Sequence, residues 1–439
     1  MRSERPESVV VAAADSRFAR ERLIVFLVGA VQFVNILDFM MVMPLGPDFA
    51  ASLGIPLASL GLIGGSYTAA AAVAGLVAAR FLDRYDRRSA LAVAIGGLVL
   101  GTAGGAFARG LPSLVAARAV AGAFGGPATA IALSIIADVI PPERRGKAMG
   151  AVMGAFSAAS VLGVPMGLEL ARRAGWRTPF VAVAALGVVV GVLALRAMPS
   201  LRGHMRNPSP TSPRFAGRGL EELEAGRGIG GLLRDRTVRL GLCANASVMM
   251  AAFLVIPNIA AHLQQNLGYP RSHLGMLYLI GGAASFFVMR IAGRAIDRVG
   301  AAAVSVVGTI GIIIVLYLGY IAPGQLGGTA VLLLFVGFML SMSVRNVAMV
   351  SLTSRVPRAD QRAGYMSLQS TAQHVASATG AFVSSRLLHD TPAGRLDGID
   401  TVSMLAVGLA LLLPPLLAAL GRRVRTREAQ PATAFTPST

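Results

Sequence analysis

The chain has little of what soluble enzymes and metalloproteins use. Charged residues make up 14% of its 439 residues, and it holds one cysteine, one tryptophan and five histidines. Cys243 stands alone, which excludes a disulfide framework and a thiolate metal site. No two histidines have the i, i+4 spacing of a helical metal site. Lys147 is the only lysine and lies in no P-loop motif, which argues against ATP as an energy source. We expect neither a metal nor a cofactor.

What the chain has instead is apolar sequence. Apolar residues make up 54% of it, and 51 residues are glycine. A soluble domain of this length would need far more charge to cover its surface, so the composition indicates a protein whose solvent is the lipid bilayer.

Twelve apolar stretches approach the roughly 20 residues needed to cross a bilayer. A polar tail precedes the first stretch, which has no small-residue cleavage site, so we expect it to be retained. The predicted spans cover residues 23–45, 58–79, 89–108, 112–138, 148–171, 178–197, 240–261, 273–293, 301–321, 327–351, 365–388 and 401–421.

The placement of basic residues explains the formal charge of +19 without a nucleic-acid partner. With the N-terminus in the cytoplasm, the inner loops, the central loop and both tails carry most of the arginines, and the outer loops carry few. This bias is the positive-inside signal. It predicts a multi-pass protein of the plasma membrane, the inner membrane in a bacterium, with both termini cytoplasmic.

A short polar motif occurs twice, each time after a long apolar run. The first copy spans residues 79–88 and the second residues 293–300. A repeat of this kind divides the chain into two similar halves, the construction of secondary transporters, which hold their substrate between the halves. The predicted parts are an N-tail (1–22), a six-helix bundle (23–197), a linker rich in Arg, Gly, Pro and Ser (198–239), a second six-helix bundle (240–421) and a C-tail (422–439).

These features resemble the major facilitator superfamily over essentially the whole chain. The resemblance implies an all-α membrane protein with twelve transmembrane helices, arranged as two pseudo-symmetric six-helix bundles around a central cavity. It also implies an ionic gating latch at the cytoplasmic helix ends. The first copy of the motif has Ala79 and Asp86 where the family usually has glycine. The latch residues would be Asp83, Arg84, Arg87, Arg88, Asp138, Asp297 and Arg298.

Two further elements resemble the drug:proton antiporter branch, which carries out efflux. Residues 118–122, beginning with Arg118, are similar to the fourth-span arginine motif of the family. In the fifth span, Gly163, Pro165 and Gly167 are similar to its glycine-proline element. Small residues there also allow ordinary close helix packing, and the proline can bend the span. The two interpretations of this element have about equal weight.

Asp38 is the only acid well inside a predicted span, where a charge costs about 2.5 to 3.5 kcal/mol on insertion scales. Gln32, Asn35 and Asp38 recur at i, i+3 and i+6 and form one polar helical face. Both Asp38 and Arg118 fall in the outer half of their spans. Family architecture places the first and fourth helices together, so we expect Asp38 to carry the coupling proton and Arg118 to modulate it. The alternative is a buried acid that fixes helix packing.

In the second half, polar residues of the tenth and eleventh spans are candidates for the far wall of the substrate cavity. They are Arg345, Asn346, Gln373 and His374. His374 is as easily explained as a packing residue, whereas an intramembrane arginine is expensive without a purpose.

The sequence therefore predicts a secondary active transporter that moves a small organic solute, such as a drug-like compound, sugar or metabolite, in exchange for protons. Its partners are the substrate, protons and lipid, and each chain is complete enough to work as a monomer. The alternatives are proton-coupled uptake and, in another class, a polytopic membrane enzyme. Such an enzyme should show clustered acids or histidines at the membrane face, which this sequence lacks. A receptor or scaffold would not explain Asp38 with Arg118.

Overall fold

The computed structural model describes residues 7–81, 85–199, 229–357 and 362–429. Within these ranges the chain is almost entirely helical, and a two-residue β-hairpin, His389–Asp390 with Leu396–Asp397, is its one pair of strands. Eleven helical segments there are long and apolar enough to cross a bilayer. A twelfth, Arg362–Leu387, has the length but is rich in Ser, Thr and Gln. The predicted twelve-helix, two-bundle architecture is confirmed.

The twelve spans, numbered in chain order, follow the predicted stretches closely. They are Glu21–Val42, Leu57–Ala78, Arg87–Ala106, Leu111–Val139, Arg144–Ala174, Arg177–Ala197, Arg236–Asn266, Arg271–Val299, Ala301–Ile321, Gly328–Thr353, Arg362–Leu387 and Ile399–Arg427. We call the side that carries most of the basic helix ends the inner side.

The helices run further than the apolar stretches at both ends of the chain. The first helix begins at Glu7, inside the predicted N-tail, and the last ends at Ala429, inside the predicted C-tail. These extensions are rich in Ala, Arg and Glu, which favour helix without being apolar. A short helix, Ile229–Arg234, precedes the seventh span.

A separate short helix, Gly46–Leu53, follows the first span on the outer side. Proline at its second position and Gly54 just after its end, in the left-handed conformation (φ 64°), delimit it. The second span then opens with a 3₁₀ turn, Leu57–Ser59, that continues into the helix Leu60–Phe81.

The fifth span changes its winding in the middle. The helix Pro142–Ala158 passes through a π turn, Ala159–Gly163, and continues as Val164–Ala174. Pro165 has no N–H to donate to the carbonyl of Val161, and its ring disfavours a regular turn there, so a wider turn before it is expected. Val164 donates to the Ala159 carbonyl across that turn.

The two halves pack against each other through their outer parts. The second span lies against the eleventh, and the fifth against the eighth. The rings of Phe39 and Phe253 stack across the boundary with centroids 5.9 Å apart. Gly65 faces Phe382 closely in the same way. These contacts close the molecule on the side opposite the inner side.

Candidate functional site

Asp38 and Arg118 form a buried ion pair between the first and fourth spans. One guanidinium nitrogen, Nη1, lies 2.9 Å from both carboxylate oxygens of Asp38. The two side chains are 0% and 1% exposed. A charge this deep in a helix bundle is costly, and breaking such a pair leaves an uncompensated buried charge.

Thr102, on the third span, completes the surroundings of the Asp38 carboxylate. Its hydroxyl lies 2.7 Å from Asp38 Oδ1 and 2.8 Å from the Leu98 carbonyl oxygen. A hydroxyl has one hydrogen and can donate it to only one of these acceptors at a time. Thr102 can therefore serve either an ionised or a protonated Asp38, by turning its hydrogen toward the carboxylate or toward the carbonyl.

Tyr67, on the second span, links the ion pair to the rest of the polar network. The Arg118 guanidinium carbon lies 4.7 Å from the centre of the Tyr67 ring, a cation–π contact. The Tyr67 hydroxyl donates to Asn35 Oδ1 at 2.9 Å. Asn35 Nδ2 is 2.9 Å from each of two acceptors, the Gly125 carbonyl and Thr129 Oγ1.

The network thus spans four helices of one bundle, and glycine makes room for it. A Cβ on Gly125 would overlap the Tyr67 hydroxyl and lie 2.6 Å from Asn35 Oδ1. The predicted polar face of the first span is buried, with Gln32 1% and Asn35 5% exposed. Within the described residues, Gln32 Oε1 and Arg118 Nε find no hydrogen-bond partner, so the network retains spare capacity.

The fifth-span element lies directly behind Asp38. A Cβ on Gly163 would come within 2.6 Å of Leu37, the residue before Asp38, and Gly167 faces Met41 at 3.8 Å. On the other side, the backbone of Ser160 lies close to Gly282 of the eighth span, and Pro165 approaches Gly275. The glycine-proline element therefore lies between the Asp38 helix and the second bundle. The element packs helices together next to the Asp38 pair. Such packing is compatible with the antiporter interpretation of the element as well as with the packing interpretation.

Arg345 is the most isolated charge in the second bundle. Its side chain is fully buried, and it lies across Gly308 of the ninth span. Nη1 is 3.8 Å from the sulfur of Met342, whereas Nε and Nη2 have no hydrogen-bond partner among the described residues. The neighbouring Asn346 is exposed. A guanidinium with unused donors can take an anionic or strongly polar group when one reaches it.

Gln373 and His374 are half-buried on the eleventh span. The tenth and eleventh spans each pack against the seventh, and in the described part of the chain they do not pack extensively against each other. The structure thus does not join the predicted far-wall residues into one cluster. They occupy two separate helices of the second bundle.

The predicted gating latch at the inner helix ends, called the inner latch below, falls only partly within the described residues. Asp83 and Arg84 lie outside the described residues. Arg87 Nε lies 3.3 Å from Asp138 Oδ2, an ion pair between the third and fourth spans, with Arg87 almost fully buried. Arg88 donates to the Leu195 carbonyl. In the second copy, Asp297 and Arg298 are exposed, and neither forms an ion pair with any residue that the structure describes.

Two contacts close the outer side between the halves, and we call them together the outer latch. Arg271 of the eighth span binds Asp48 of the short outer helix, with Nε 2.7 Å from Oδ1 and Nη2 2.5 Å from Oδ2. Asp390 of the β-hairpin accepts from the backbone N–H groups of Leu57 and Ala58, at 2.7 and 2.9 Å. Asp390 thus caps the first turn of the second span from the opposite half.

Asn266, at the outer end of the seventh span, fixes the hairpin that carries Asp390. Its amide donates to the Leu396 carbonyl at 2.7 Å and accepts from the Leu396 N–H at 2.9 Å. This paired contact imitates a strand neighbour, so the hairpin moves as part of the second bundle.

Comparison with known proteins agrees with this architecture. A family model described as Major Facilitator Superfamily matches residues 28–381. The chain belongs to the major facilitator superfamily. It is therefore a multi-pass membrane transport protein rather than an enzyme, and the family resemblance of the sequence is confirmed.

Relatives within the superfamily include efflux proteins. The chloramphenicol resistance protein of Streptomyces lividans is 28% identical over 371 residues, 84% of this chain and 89% of that protein. The purine ribonucleoside efflux pump NepI of Escherichia coli O6:K15:H31 is 32% identical over 183 residues, which cover 41% of this chain and 44% of the pump.

Solved superfamily structures match the fold over nearly the full length. A bacterial homologue of the human lysosomal transporter Spinster, inward-facing and occupied, gives a TM-score of 0.72 at 15% identity, covering 93% of this chain and 98% of that one. A D-xylose-proton symporter gives 0.69 at 17% identity, covering 90% and 96%. These likenesses concern the fold alone.

Several residues of this superfamily protein's site were not anticipated from the sequence. Tyr67 stands between Ser66 and Thr68 in the second span, and Thr102 lies deep in the third. Only their polarity at that depth could have drawn attention to them. The outer latch joins Asp48 of the short outer helix, Arg271 of the eighth span and Asp390 of the β-hairpin, which are distant in the sequence. No local pattern indicates such a pairing, although acids and arginines in short outer loops are candidates.

Proposed function

We propose that this superfamily member is a proton-driven exporter of a small organic solute, in which Asp38 carries the proton and Arg118 responds to its charge. One observation carries the proposal. Asp38 is a fully buried carboxylate held by one arginine and one hydroxyl that can change its partner. Intramembrane ionisable groups of this kind commonly mark proton pathways.

The ion pair suits a two-state cycle. With Asp38 ionised, Arg118 and Thr102 both satisfy the carboxylate, which stabilises the arrangement seen here. A proton on Asp38 cancels the attraction and leaves Arg118 as a buried cation with one aromatic contact, which is costly. The protonated protein therefore favours an arrangement in which Arg118 reaches water or substrate. Thr102 can turn to the Leu98 carbonyl in that state.

The fifth span would pass this change to the second bundle. It packs on Leu37, next to Asp38, and on the eighth span of the opposite half. A shift of the first helix at Asp38 would thus press on the boundary between the halves. Alternating access requires such a link between a local charge and a two-state interface.

The substrate would bind between the bundles, facing Gln32, Asn35 and the Asp38 pair on one side. Arg345, Asn346, Gln373 and His374 would belong to two separate patches of the opposite wall. The named efflux relatives, a chloramphenicol resistance protein and a purine ribonucleoside efflux pump, favour export of a drug-like or nucleoside-like solute. The fold shared with a D-xylose-proton symporter makes proton-coupled uptake the second candidate.

In the cell, we expect the chain in the plasma membrane with both termini cytoplasmic, since the basic helix ends then lie inside. The inner latch, including Arg87 and Asp138, would be made and released as the inner side closes and opens. Each chain contains both six-helix bundles that the proposed exchange requires, so a monomer would suffice for transport.

Proteoliposomes test the direction and the coupling together. Purified protein is reconstituted with a pH-sensitive dye inside, a pH gradient is imposed, and chloramphenicol, a purine ribonucleoside or D-xylose is added as probe. The proposal expects substrate-dependent proton movement opposite to the substrate flux. Movement in the same direction would establish uptake by symport, and substrate flux without proton movement would refute proton coupling.

A further inference from the structure

A basic cleft opens on the inner side, between the start of the seventh span and the end of the twelfth. Its volume is about 340 Å³, and its walls are formed by Arg236, Leu240, Ala419, Arg422, Arg423 and Thr426. It belongs to the second bundle alone, away from the Asp38 network and from the boundary between the halves. The transport cycle proposed above makes no use of it.

The charge of the cleft is unbalanced. Arg236, Arg422 and Arg423 are all exposed, and none forms an ion pair with a residue in the described ranges. Among the side chains that the structure describes, Asp235 is the acid beside them, and its carboxylate is engaged in capping the seventh helix, 2.7 Å from the Thr237 N–H. Arg239 and Arg425 are exposed nearby and add to the positive field.

The donors that line the cleft favour an anion. Arg236 lies at the start of the seventh span, beside Arg422 and Arg423 of the twelfth. Arginine guanidinium groups match phosphate oxygens in geometry and charge. Thr426 also lines the cleft, and its hydroxyl donates to the Arg422 carbonyl at 2.9 Å. Three arginines on two helices that converge on one concave site form a recognisable phosphate-binding arrangement, whereas a solvated anchor face needs no cavity.

The cleft also has an apolar continuation toward the membrane core. Leu240 lies one turn beyond Arg236 on the seventh helix, and Ala419 one turn before Arg423 on the twelfth. Cys243 follows at i+7 from Arg236, on the same helical face, and is exposed. A ligand that fills this surface has an anionic head and an alkyl tail.

We propose that this cleft is a specific binding site for an anionic phospholipid. The phosphate contacts Arg236, Arg422 and Arg423, and an acyl chain runs along Leu240 toward Cys243. Basic pockets between membrane helices on the cytoplasmic side are suited to such headgroups. The site holds the ends of the seventh and twelfth helices together at the membrane surface, and it is independent of the proton-coupling proposal.

The native Cys243 allows a direct test, since it is the only cysteine of the chain. The full-length protein is labelled at Cys243 with a maleimide fluorophore and reconstituted in phosphatidylcholine. Quenching is then compared between phosphatidylglycerol and phosphatidylcholine that carry brominated acyl chains. We expect phosphatidylglycerol to be preferred at the label by roughly tenfold, since each basic residue near an anionic headgroup contributes several-fold.

A matched pair of variants isolates the cleft. Combined substitution Arg236→Gln, Arg422→Gln and Arg423→Gln should bring the preference close to one. Arg196→Gln, Arg290→Gln and Arg294→Gln together remove the same charge from exposed positions elsewhere on the inner side and should leave the preference intact. Circular dichroism of both variants verifies their folding.

Three results would overturn the proposal. The labelled wild-type protein could show no preference for phosphatidylglycerol, or the two triple variants could lose the preference equally, which would make it a general charge effect. Millimolar inorganic phosphate could also abolish the preference in the wild-type protein, which would identify a site for soluble phosphate instead of a lipid.

Discussion

At the scale of single residues, the proposed mechanism depends on two buried arginines in different situations. Arg118 has a carboxylate partner and an aromatic ring, whereas Arg345 has a methionine sulfur and unused donors. The first can be neutralised and released by a proton on Asp38. The second carries its charge at a constant cost, which the substrate would offset.

Arg345→Met tests that difference. Removing an unpaired buried charge should raise the free energy of unfolding by about 1 kcal/mol or more, since apolar replacements of buried charges are often stabilising. Thermal unfolding in detergent measures the change, and transport in proteoliposomes should fall in the same variant. Arg345→Lys, which keeps the charge, is the control and should show no gain in stability. A destabilised Arg345→Met protein would contradict the description of Arg345 as an unpaired buried charge.

The sequence predicted the Asp38 site only in part. An acid in an apolar span, with Gln32 and Asn35 on the same helical face, can be found by periodicity alone, and the depth of Arg118 pointed to a shared level. Tyr67 and Thr102 could not be assigned, because their contribution depends on which faces of the second and third spans turn toward Asp38. That rotation is set by packing between helices, which a single sequence does not encode.

At the scale of helices, glycine controls how closely the second and fourth spans approach. A Cβ on Gly122 would overlap the Tyr67 carbonyl oxygen and lie 2.8 Å from the Tyr67 Cα. These are backbone atoms and cannot rotate aside. The close approach holds the Tyr67 ring against Arg118, so the small residue serves both the packing and the site.

Gly122→Ala should therefore push the two spans apart. Overpacking of this kind typically costs about 1–3 kcal/mol, and we expect a lower melting temperature together with weaker transport. Gly150→Ala is the matched control, because no heavy atom lies within 4 Å of the Cβ it would add. An unchanged melting temperature for Gly122→Ala would show that the spans are not packed as described.

The structure of the fifth span could be predicted from the sequence only in part. Gly163, Pro165 and Gly167 predicted a bent span with close neighbours, and the structure has a π turn immediately before the proline. Gly150 and Gly154 belong to the same row of small residues but face open space. Only the outer part of that row packs closely, since it alone lies between the first and eighth spans. A row of small residues shows that close packing is possible and leaves open which neighbour approaches.

At the scale of the whole molecule, the repeated motif and the twelve apolar stretches were enough to predict the architecture. Which side of the molecule is closed could not be predicted from the sequence. It depends on the outer latch, in which Asp48 meets Arg271, and Asp390 caps the second span. Asp48 and Arg271 are 223 positions apart, and Asp390 and Leu57 are 333 apart, so only the folded helices bring them together.

Breaking the outer latch should shift the molecule toward an outward-open arrangement. The Asp48–Arg271 pair is bidentate and about three-quarters buried, so its loss together with that of Asp390 should cost the closed state about 1 kcal/mol or more. This corresponds to a population shift of roughly fivefold. The variant is Asp48→Asn with Asp390→Asn.

Spin labels at Ser52 and Ala393, in a Cys243→Ser background, report the distance between the outer ends of the two halves by double electron–electron resonance. The longer distances should gain population in the double variant. Glu169→Gln is the control, since Glu169 pairs with Arg172 and Arg173 within one half. Identical distance distributions in the wild-type protein and the double variant would show that these contacts do not hold the outer side closed.

We propose that the charge of Asp38 couples protons to substrate movement. Asp38→Asn keeps the size and shape of the side chain and one acceptor oxygen for Thr102 and Arg118, but it is uncharged and cannot bind or release a proton. The decisive measurement compares two modes in the same proteoliposomes: exchange of labelled for unlabelled substrate without a pH gradient, and substrate accumulation driven by an imposed pH gradient. We predict that Asp38→Asn retains exchange and loses gradient-driven accumulation. Full gradient-driven accumulation by Asp38→Asn would contradict the account.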